Sequence, residues 1–125
     1  MEGDYTRSYL DDSSVYLSRT AENGDALEKI VRRFEESPEE ITPTSLNELN
    51  NALSFIMSDA KKLKRTDPNE RDPLFNRYSS LCSKIKTLYY VHKDKFDDAI
   101  SGIDLLPTRC CLKRQLSFIG INIIQ

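Results

Sequence analysis

Two runs of apolar residues with heptad spacing constrain the fold of this chain more than any other feature. In the first run, apolar side chains recur at intervals of three and four, at Leu46, Leu49, Leu53, Ile56, Ala60 and Leu63. The second run has the same intervals, at Leu74, Tyr78, Leu81, Ile85, Leu88 and His92, and is widened by Phe75, Cys82 and Tyr89. Residues so spaced form one stripe along an α-helix, so the pattern predicts two amphipathic helices of the coiled-coil type.

The charged segment between the two runs, residues 65–72, predicts a turn. Asp67-Pro68-Asn69 is a turn signal, and Asp72-Pro73 offers an N-cap followed by proline at the first helical position. Two apolar stripes joined by a short linker can bury each other when their helices pack antiparallel. We therefore expect a core helical hairpin over residues 42–103, within an all-α, single-domain bundle of four to five helices that spans residues 1–125.

The N-terminal third of the chain is predicted to contain a break at Asn23-Gly24-Asp25. Asp25 and Glu28 have the spacing of a capping box, which favours a new helix whose apolar face runs from Leu27 to Phe34. Ser37-Pro38 ends that helix, and Thr42-Pro43 begins the helix of the first heptad run, which we call the first seam helix because its apolar stripe, or seam, faces the core. Residues 1–23 are interpreted either as a separate helix, from about Asp4 to Ser18, or as a mobile N-terminal arm. Its helical face would hold Tyr5, Tyr9, Asp12 and Tyr16.

The second seam helix is predicted to run about thirty residues, from Asp72 to Gly102, with a break near His92–Asp94 as the alternative. Pro107 and Thr108 precede a last helix with Leu112, Leu116, Ile119 and Ile123 on one face, while Phe118, Ile121 and Ile124 lie off that face. A segment that is apolar on more than one side needs cover. We expect the Leu27–Phe34 helix to pack over it, with self-association if that cover is incomplete.

The distribution of charge limits the kinds of molecule that the chain is expected to bind. Charged residues make up 30% of the chain, and the net charge is −2. Residues 1–42 carry eleven acids and five bases, whereas residues 43–125 carry nine acids and thirteen bases. Because the basic part is offset by the acidic part, we expect no specific nucleic-acid partner, and any weak binding should fall steeply with salt.

The sequence also predicts where the protein works. No apolar run reaches the roughly 18 to 20 residues that span a bilayer, so we expect no transmembrane segment. The acidic start lacks the features of a signal peptide. Three cysteines, two of them adjacent, do not form a disulfide framework. A cytoplasmic location is the expectation.

Candidate chemical groups are few. His92 is the only histidine, and no HExxH, CxxC or phosphate-loop motif accompanies it. We therefore predict no catalytic, cofactor-binding or metal-binding residues, and no enzyme. Cys82 is expected in the core. Of Cys110 and Cys111, one should be buried and one exposed, with a reactive thiol or acylation beside Lys113 and Arg114 as alternatives.

Two charged runs are interpreted as solvated surface. The first is acidic, at Glu35, Glu36, Glu39 and Glu40. The second is basic, at Lys61, Lys62, Lys64 and Arg65, where cations favour a helix C-terminus. Nucleic acid or anionic lipid are the alternative readings of the basic run.

The predicted function is that of a non-enzymatic helical module (adaptor, scaffold or regulator) that binds another protein. Its binding face would be surplus seam surface or the acidic N-terminal part. In helix length and heptad spacing, residues 42–96 resemble the N-terminal helical bundles of vesicle-fusion proteins. That resemblance implies a regulatory or tethering bundle at a membrane surface, although the C-terminal anchor usual in such proteins is not expected here. A third hypothesis is a small all-α enzyme, with a pocket lined by His92, Tyr89 and a carboxylate.

Overall fold

The computed structural model of the chain describes residues 2–123, and it describes side chains for residues 14–123. Within that range the chain folds as an all-α bundle without strands, as predicted. Its helices are α1 (Glu2–Glu36), α2 (Pro43–Ala60), α3 (Pro68–Val91), α4 (Lys93–Ser101) and α5 (Leu106–Phe118). Short 3₁₀ turns, Pro38–Glu40 and Lys62–Arg65, follow α1 and α2.

Helix α2 is the centre of the bundle. Its buried residues extend well beyond one stripe and comprise Ser45, Leu46, Leu49, Asn50, Ala52, Leu53, Ile56 and Asp59. Helices α1, α4 and α5 all pack against it. A helix that is covered on several sides needs apolar or small residues on most of its surface, which explains the wide buried face.

The middle of each predicted stripe is buried, whereas Ala60, Leu74, Tyr78 and His92 are half-buried, and both stripes pack mainly on a third helix. Helix α1 packs along both α2 and α3, whereas close approach between α2 and α3 themselves is sparse. The face of α1 that reaches them consists of Leu27, Ile30, Val31 and Phe34, all buried. The heptads therefore identify the core faces of α2 and α3 correctly. The predicted hairpin packed these two faces against each other, whereas in the structure both faces pack mainly against α1.

The predicted break at Asn23-Gly24-Asp25 is wrong, because α1 continues through it. Asp25 and Glu28 do not cap a new helix. They pair with Arg77 of α3, whose Nη2 lies 2.7 Å from Asp25 Oδ1 and 3.2 Å from Glu28 Oε2. A Cβ atom on Gly24 would lie 3.2 Å from Nη1 of the same guanidinium. Glycine weakens a helix by about 1 kcal/mol relative to alanine, but here it lets Arg77 approach the backbone of α1 closely.

A second charged contact joins α1 to α2. Arg19 donates two hydrogen bonds to Asp59, from Nη2 to Oδ1 at 2.8 Å and from Nε to Oδ2 at 3.1 Å. The Asp59 side chain is fully buried, so its carboxylate depends on this partner. Nearby, the Tyr16 ring lies under the Lys62 ammonium at 4.7 Å. The rest of the face predicted for residues 4–18, at Tyr5, Tyr9 and Asp12, lies outside the described side chains.

The starts of α2 and α3 follow local capping chemistry. The predicted start of α2 at Thr42-Pro43 is confirmed, with reciprocal hydrogen bonds between Thr42 and Ser45. The predicted start of α3 at Asp72-Pro73 is wrong, because Asp67 accepts the Asn69 N–H at 3.0 Å and caps a helix that begins at Pro68. Pro73 then lies inside the helix, where its missing N–H leaves the exposed Asn69 without its intrahelical donor. Helix α3 ends at Val91 and α4 begins at Lys93, so the predicted thirty-residue helix is wrong and its alternative, a break near His92, is confirmed.

The C-terminal segment ends in a Schellman motif rather than a continuing helix. Gly120 adopts φ 93°, the Ile121 N–H donates to Leu116 O at 2.8 Å, and the Gly120 N–H donates to Ser117 O at 3.1 Å. The helical face predicted to continue to Ile123 therefore ends at Phe118, and Ile121 is fully buried. Helix α5 packs on α2, so the expected cover by Leu27–Phe34 is wrong. The expectation for Ile124 lies outside the described residues.

Truncation of the buried stripes tests this packing. Leu53→Ala and Ile85→Ala should each lower the free energy of unfolding by about 2–5 kcal/mol, because both side chains are buried in the core. Phe55→Ala is the matched control on α2, since the Phe55 side chain is 51% exposed and its loss should cost less than about 1 kcal/mol. Urea unfolding measures all three. Equal losses for Leu53→Ala and Phe55→Ala would contradict the assigned core.

Candidate functional site

The junction of α3 and α4 exposes two large apolar side chains side by side. The backbone leaves helical geometry at His92, with φ −118° and ψ 40°. Just before it, Tyr90 is 62% exposed and Val91 is 66% exposed. Neither residue lies on the heptad stripe that ends at His92. We call this surface, residues 90–95, the α3–α4 corner.

A buried aromatic cluster holds the corner in place. The Phe34 and Phe96 rings meet edge to face with centroids 5.9 Å apart, and Tyr89 meets Phe96 at 5.6 Å. The exposed Tyr90 ring then meets Tyr89 at 5.7 Å. Edge-to-face aromatic pairs favour this geometry, so the Tyr90 ring projects from a packed base formed by α1, α3 and α4.

The hydroxyl of Tyr89 locks the base of the corner to α4. It donates a hydrogen bond to Asp97 Oδ1 at 3.1 Å. Burial, strengthened by the neighbouring Asp97 carboxylate, raises the pKa of Tyr89 to about 12. A buried tyrosine that donates a hydrogen bond to a carboxylate resists ionisation. Its phenolate would have no proton left to donate and would face the negative charge of the carboxylate.

The rim of the corner is polar. Lys93, Asp94 and Lys95 line a shallow groove together with Tyr90, Val91 and the half-buried His92. Of the residues that the enzyme hypothesis would bring together, only His92 and a carboxylate, that of Asp94, line this groove. His92 and Asp94 share the groove, but the hydroxyl of Tyr89 is turned away to Asp97.

A second exposed surface runs along α5. Its exposed residues include Leu106, Cys110, Arg114, Ser117 and Phe118, and the half-buried Lys113 lies between them. Leu106 is 60% exposed and Phe118 is 59% exposed, at opposite ends of the helix. We call this surface the α5 outer face. The opposite side of α5 is core, through Leu112 and Leu116.

The cysteines lie in three different environments. Cys110 is exposed, and Cys111 is half-buried with its Sγ 3.6 Å from Ser54 Oγ of α2. Cys82 is buried in the core as predicted, and burial raises the pKa of its thiol. Burial also raises the pKa of the neighbouring Tyr78, so both groups favour their protonated forms. Over residues 14–123, no cluster of three or more His, Cys, Asp or Glu side chains could hold a metal ion.

The two predicted binding faces differ in exposure. Surplus seam surface is not available on α2, because every leucine and isoleucine of its stripe is buried. The acidic run at Glu35, Glu36, Glu39 and Glu40 is exposed, as are Lys61, Lys62, Lys64 and Arg65 at the other end of α2. The surfaces that sequence reasoning missed are the α3–α4 corner and Leu105–Leu106. Their signal was large apolar residues that fall off the core stripes.

Comparisons with known proteins add no identification. The chain matches no protein-family model, no curated protein and no solved structure. Among the helices in the described part of the chain, none combines the length and apolar character that crossing a membrane requires.

The raised pKa of Tyr89 predicts a loss of stability at alkaline pH. The folded state favours the protonated phenol, so its contribution is complete below about pH 10 and is lost as pH rises toward about 12. Replacing Tyr89 by Phe removes this dependence. Between about pH 9 and about pH 11, the wild-type protein should therefore lose about 1 kcal/mol more than Tyr89→Phe. Urea unfolding at each pH measures the difference.

Two features make this comparison specific. The half-buried Tyr78 and the buried Cys82 add their own alkaline loss, but they do so equally in both proteins. Tyr90→Phe serves as the control for losing one tyrosine hydroxyl at an exposed position, and it should keep most of the alkaline loss because Tyr89 and Asp97 are unchanged. A Tyr89→Phe protein with the wild-type dependence would show that Tyr89 is not buried against Asp97.

Proposed function

We propose that this chain is a non-enzymatic helical module that binds another protein through the α3–α4 corner. The observation that carries the proposal is the Tyr90 ring, which is mostly exposed and yet supported from below by a buried aromatic cluster. An exposed aromatic that is already ordered loses little conformational entropy on binding. Tyrosine is also among the residues that dominate binding energy at protein interfaces.

The chemistry around Tyr90 indicates the kind of partner surface that fits. Val91 extends the apolar contact, and Lys93, Asp94 and Lys95 form a mixed polar rim. An apolar centre with a charged rim is the usual anatomy of a protein interface. The partner should therefore offer a pocket for the Tyr90 ring, with carboxylates placed to meet Lys93 and Lys95.

Two further observations support the proposal: one concerns the compartment, and the other concerns the rigidity of the binding surface. Cys82, Cys110 and Cys111 are all free thiols, which suits the cytoplasm. The core is closed beneath the corner, since Phe34, Tyr89 and Phe96 are buried, so binding there needs no rearrangement of the bundle. A rigid scaffold that presents a small, ordered apolar surface is what an adaptor requires.

The test is a quantitative comparison of captured proteins. Immobilised wild-type chain and a Tyr90→Ser/Val91→Ser variant are each incubated with cytoplasmic extract, and bound proteins are quantified by mass spectrometry. A true partner should be depleted at least tenfold by the double variant, because removing a central aromatic anchor costs about 2 kcal/mol or more. Its affinity is then measured by calorimetry with the purified proteins.

Phe55→Ser is the matched control, because Phe55 is a similarly exposed aromatic on another face of the bundle. It should retain the partner. Thermal melts of all three proteins check that the variants stay folded. If every captured protein survives Tyr90→Ser/Val91→Ser or is lost equally with Phe55→Ser, the α3–α4 corner is not the binding surface and the proposal fails.

A further inference from the structure

We propose that the α5 outer face docks the bundle onto an anionic lipid bilayer. This inference concerns a surface distant in sequence from the α3–α4 corner, and it goes beyond the protein-binding role proposed above. It rests on three features of α5: exposed apolar side chains at both ends, basic side chains between them, and the absence of acidic residues along the helix.

The exposed apolar side chains lie at the two ends of α5 and are offset by about 120° around the helix. Leu106, Cys110, Lys113 and Ser117 follow at helical spacing and form one stripe, beside which lie Arg114 and Phe118. Leu105, just before the helix, is exposed as well. The exposed Cys110, as a free thiol, behaves as a small apolar group in the middle of the stripe. Helix α5 keeps its other side on α2, so these residues are offered by a helix that is already folded.

The charge of this surface is of one sign. The exposed Arg114 and the half-buried Lys113 and Arg109 are the only charged residues between Leu106 and Phe118. Lys86 of α3 lines the same groove as Phe118, and that groove contains no acid. The Lys86 side chain also passes against Gly120, where a Cβ would lie 2.9 Å from its Nζ. Asp104 is the nearest acid in sequence, and it precedes the helix.

The other exposed basic run, residues 61–65, lies close to acidic residues, and one of its lysines is already engaged by another side chain. Lys61, Lys62, Lys64 and Arg65 are followed within a few residues by Asp67, Glu70 and Asp72. Lys62 is also engaged over the ring of Tyr16. The positive charge of that run is therefore partly cancelled by neighbouring acids. Removing charge from it serves as a control for general electrostatic attraction to the vesicles.

The layout favours a bilayer over a protein as the occupant. Leu106 and Phe118 are separated by about 18 Å of helix, and the surface between them is basic and polar. Protein interfaces concentrate their apolar anchors at one centre. A helix lying flat at a membrane instead inserts scattered apolar side chains between headgroups, while lysine and arginine meet the lipid phosphates. The positive face complements the negative surface of anionic lipid.

Vesicle co-flotation with the full chain tests the proposal. The probe is phosphatidylcholine vesicles prepared with and without phosphatidylserine, at low and at physiological salt. The wild-type chain should float with the anionic vesicles, less so at the higher salt, and stay behind with the neutral ones. Lys113→Gln/Arg114→Gln should bind about thirtyfold more weakly, since each cation contributes about 1 kcal/mol near an anionic surface. Leu106→Ser/Phe118→Ser should bind at least tenfold more weakly.

Two matched variants separate a docking face from general attraction. Lys61→Gln/Lys64→Gln removes the same charge from the other basic run, and Phe55→Ser removes an exposed aromatic elsewhere; both should bind as the wild type does. Thermal melts verify that each variant is folded. The proposal is overturned if the wild-type chain ignores anionic vesicles, or if the control variants lose binding as much as the α5 variants. Binding to polyglutamate without binding to vesicles also overturns it, in favour of an acidic protein partner.

Discussion

The packing of one uninterrupted helix, α1, against both α2 and α3 is the constraint on which the rest of the structure depends. Two charged contacts set its position. Arg77 of α3 approaches α1 at Gly24 and pairs with Asp25 and Glu28, while Arg19 pairs with the buried Asp59 of α2. A bend at Gly24 would break the alignment of these two contacts. Because α1 separates α2 from α3, the apolar stripes of both helices are closed against it.

The position of α1 also determines which surfaces remain free. Helix α2 packs on both α1 and α5, and the half of α5 that faces away from α2 is left uncovered. At the end of the bundle, Phe34 of α1 completes the aromatic cluster under Tyr90. The two surfaces proposed for interaction are therefore products of the same arrangement. One offers a single ordered aromatic with a mixed rim, and the other offers separated apolar anchors with positive charge.

The sequence predicts what is local and misses what joins distant segments. Heptad spacing identified Leu49, Leu53 and Ile85 as core because the spacing is a property of each helix alone. Capping identified Thr42 for the same reason. The chain holds two Asp-Pro pairs near the start of α3, and local chemistry does not decide between them. The pairing of Arg77 with Glu28 spans 49 positions, so Asn23-Gly24-Asp25 looked like an ordinary break. The exposed surfaces could be detected in the sequence only as apolar residues that lie off the core stripes. The sequence does not indicate what those residues contact.

Hydrogen exchange at the amides of residues 23–27 tests the continuity of α1 most directly. If α1 is one helix held by Arg77 and by the core, these amides should be protected to the same degree as those of Ile30 and Val31, and should open only with the cooperative unfolding of the bundle. Arg77→Ala should lower that protection first at Gly24 and Asp25. Rapid exchange at residues 23–26 in the wild-type protein, beside protected amides on both sides, would show two separate helices and contradict the account.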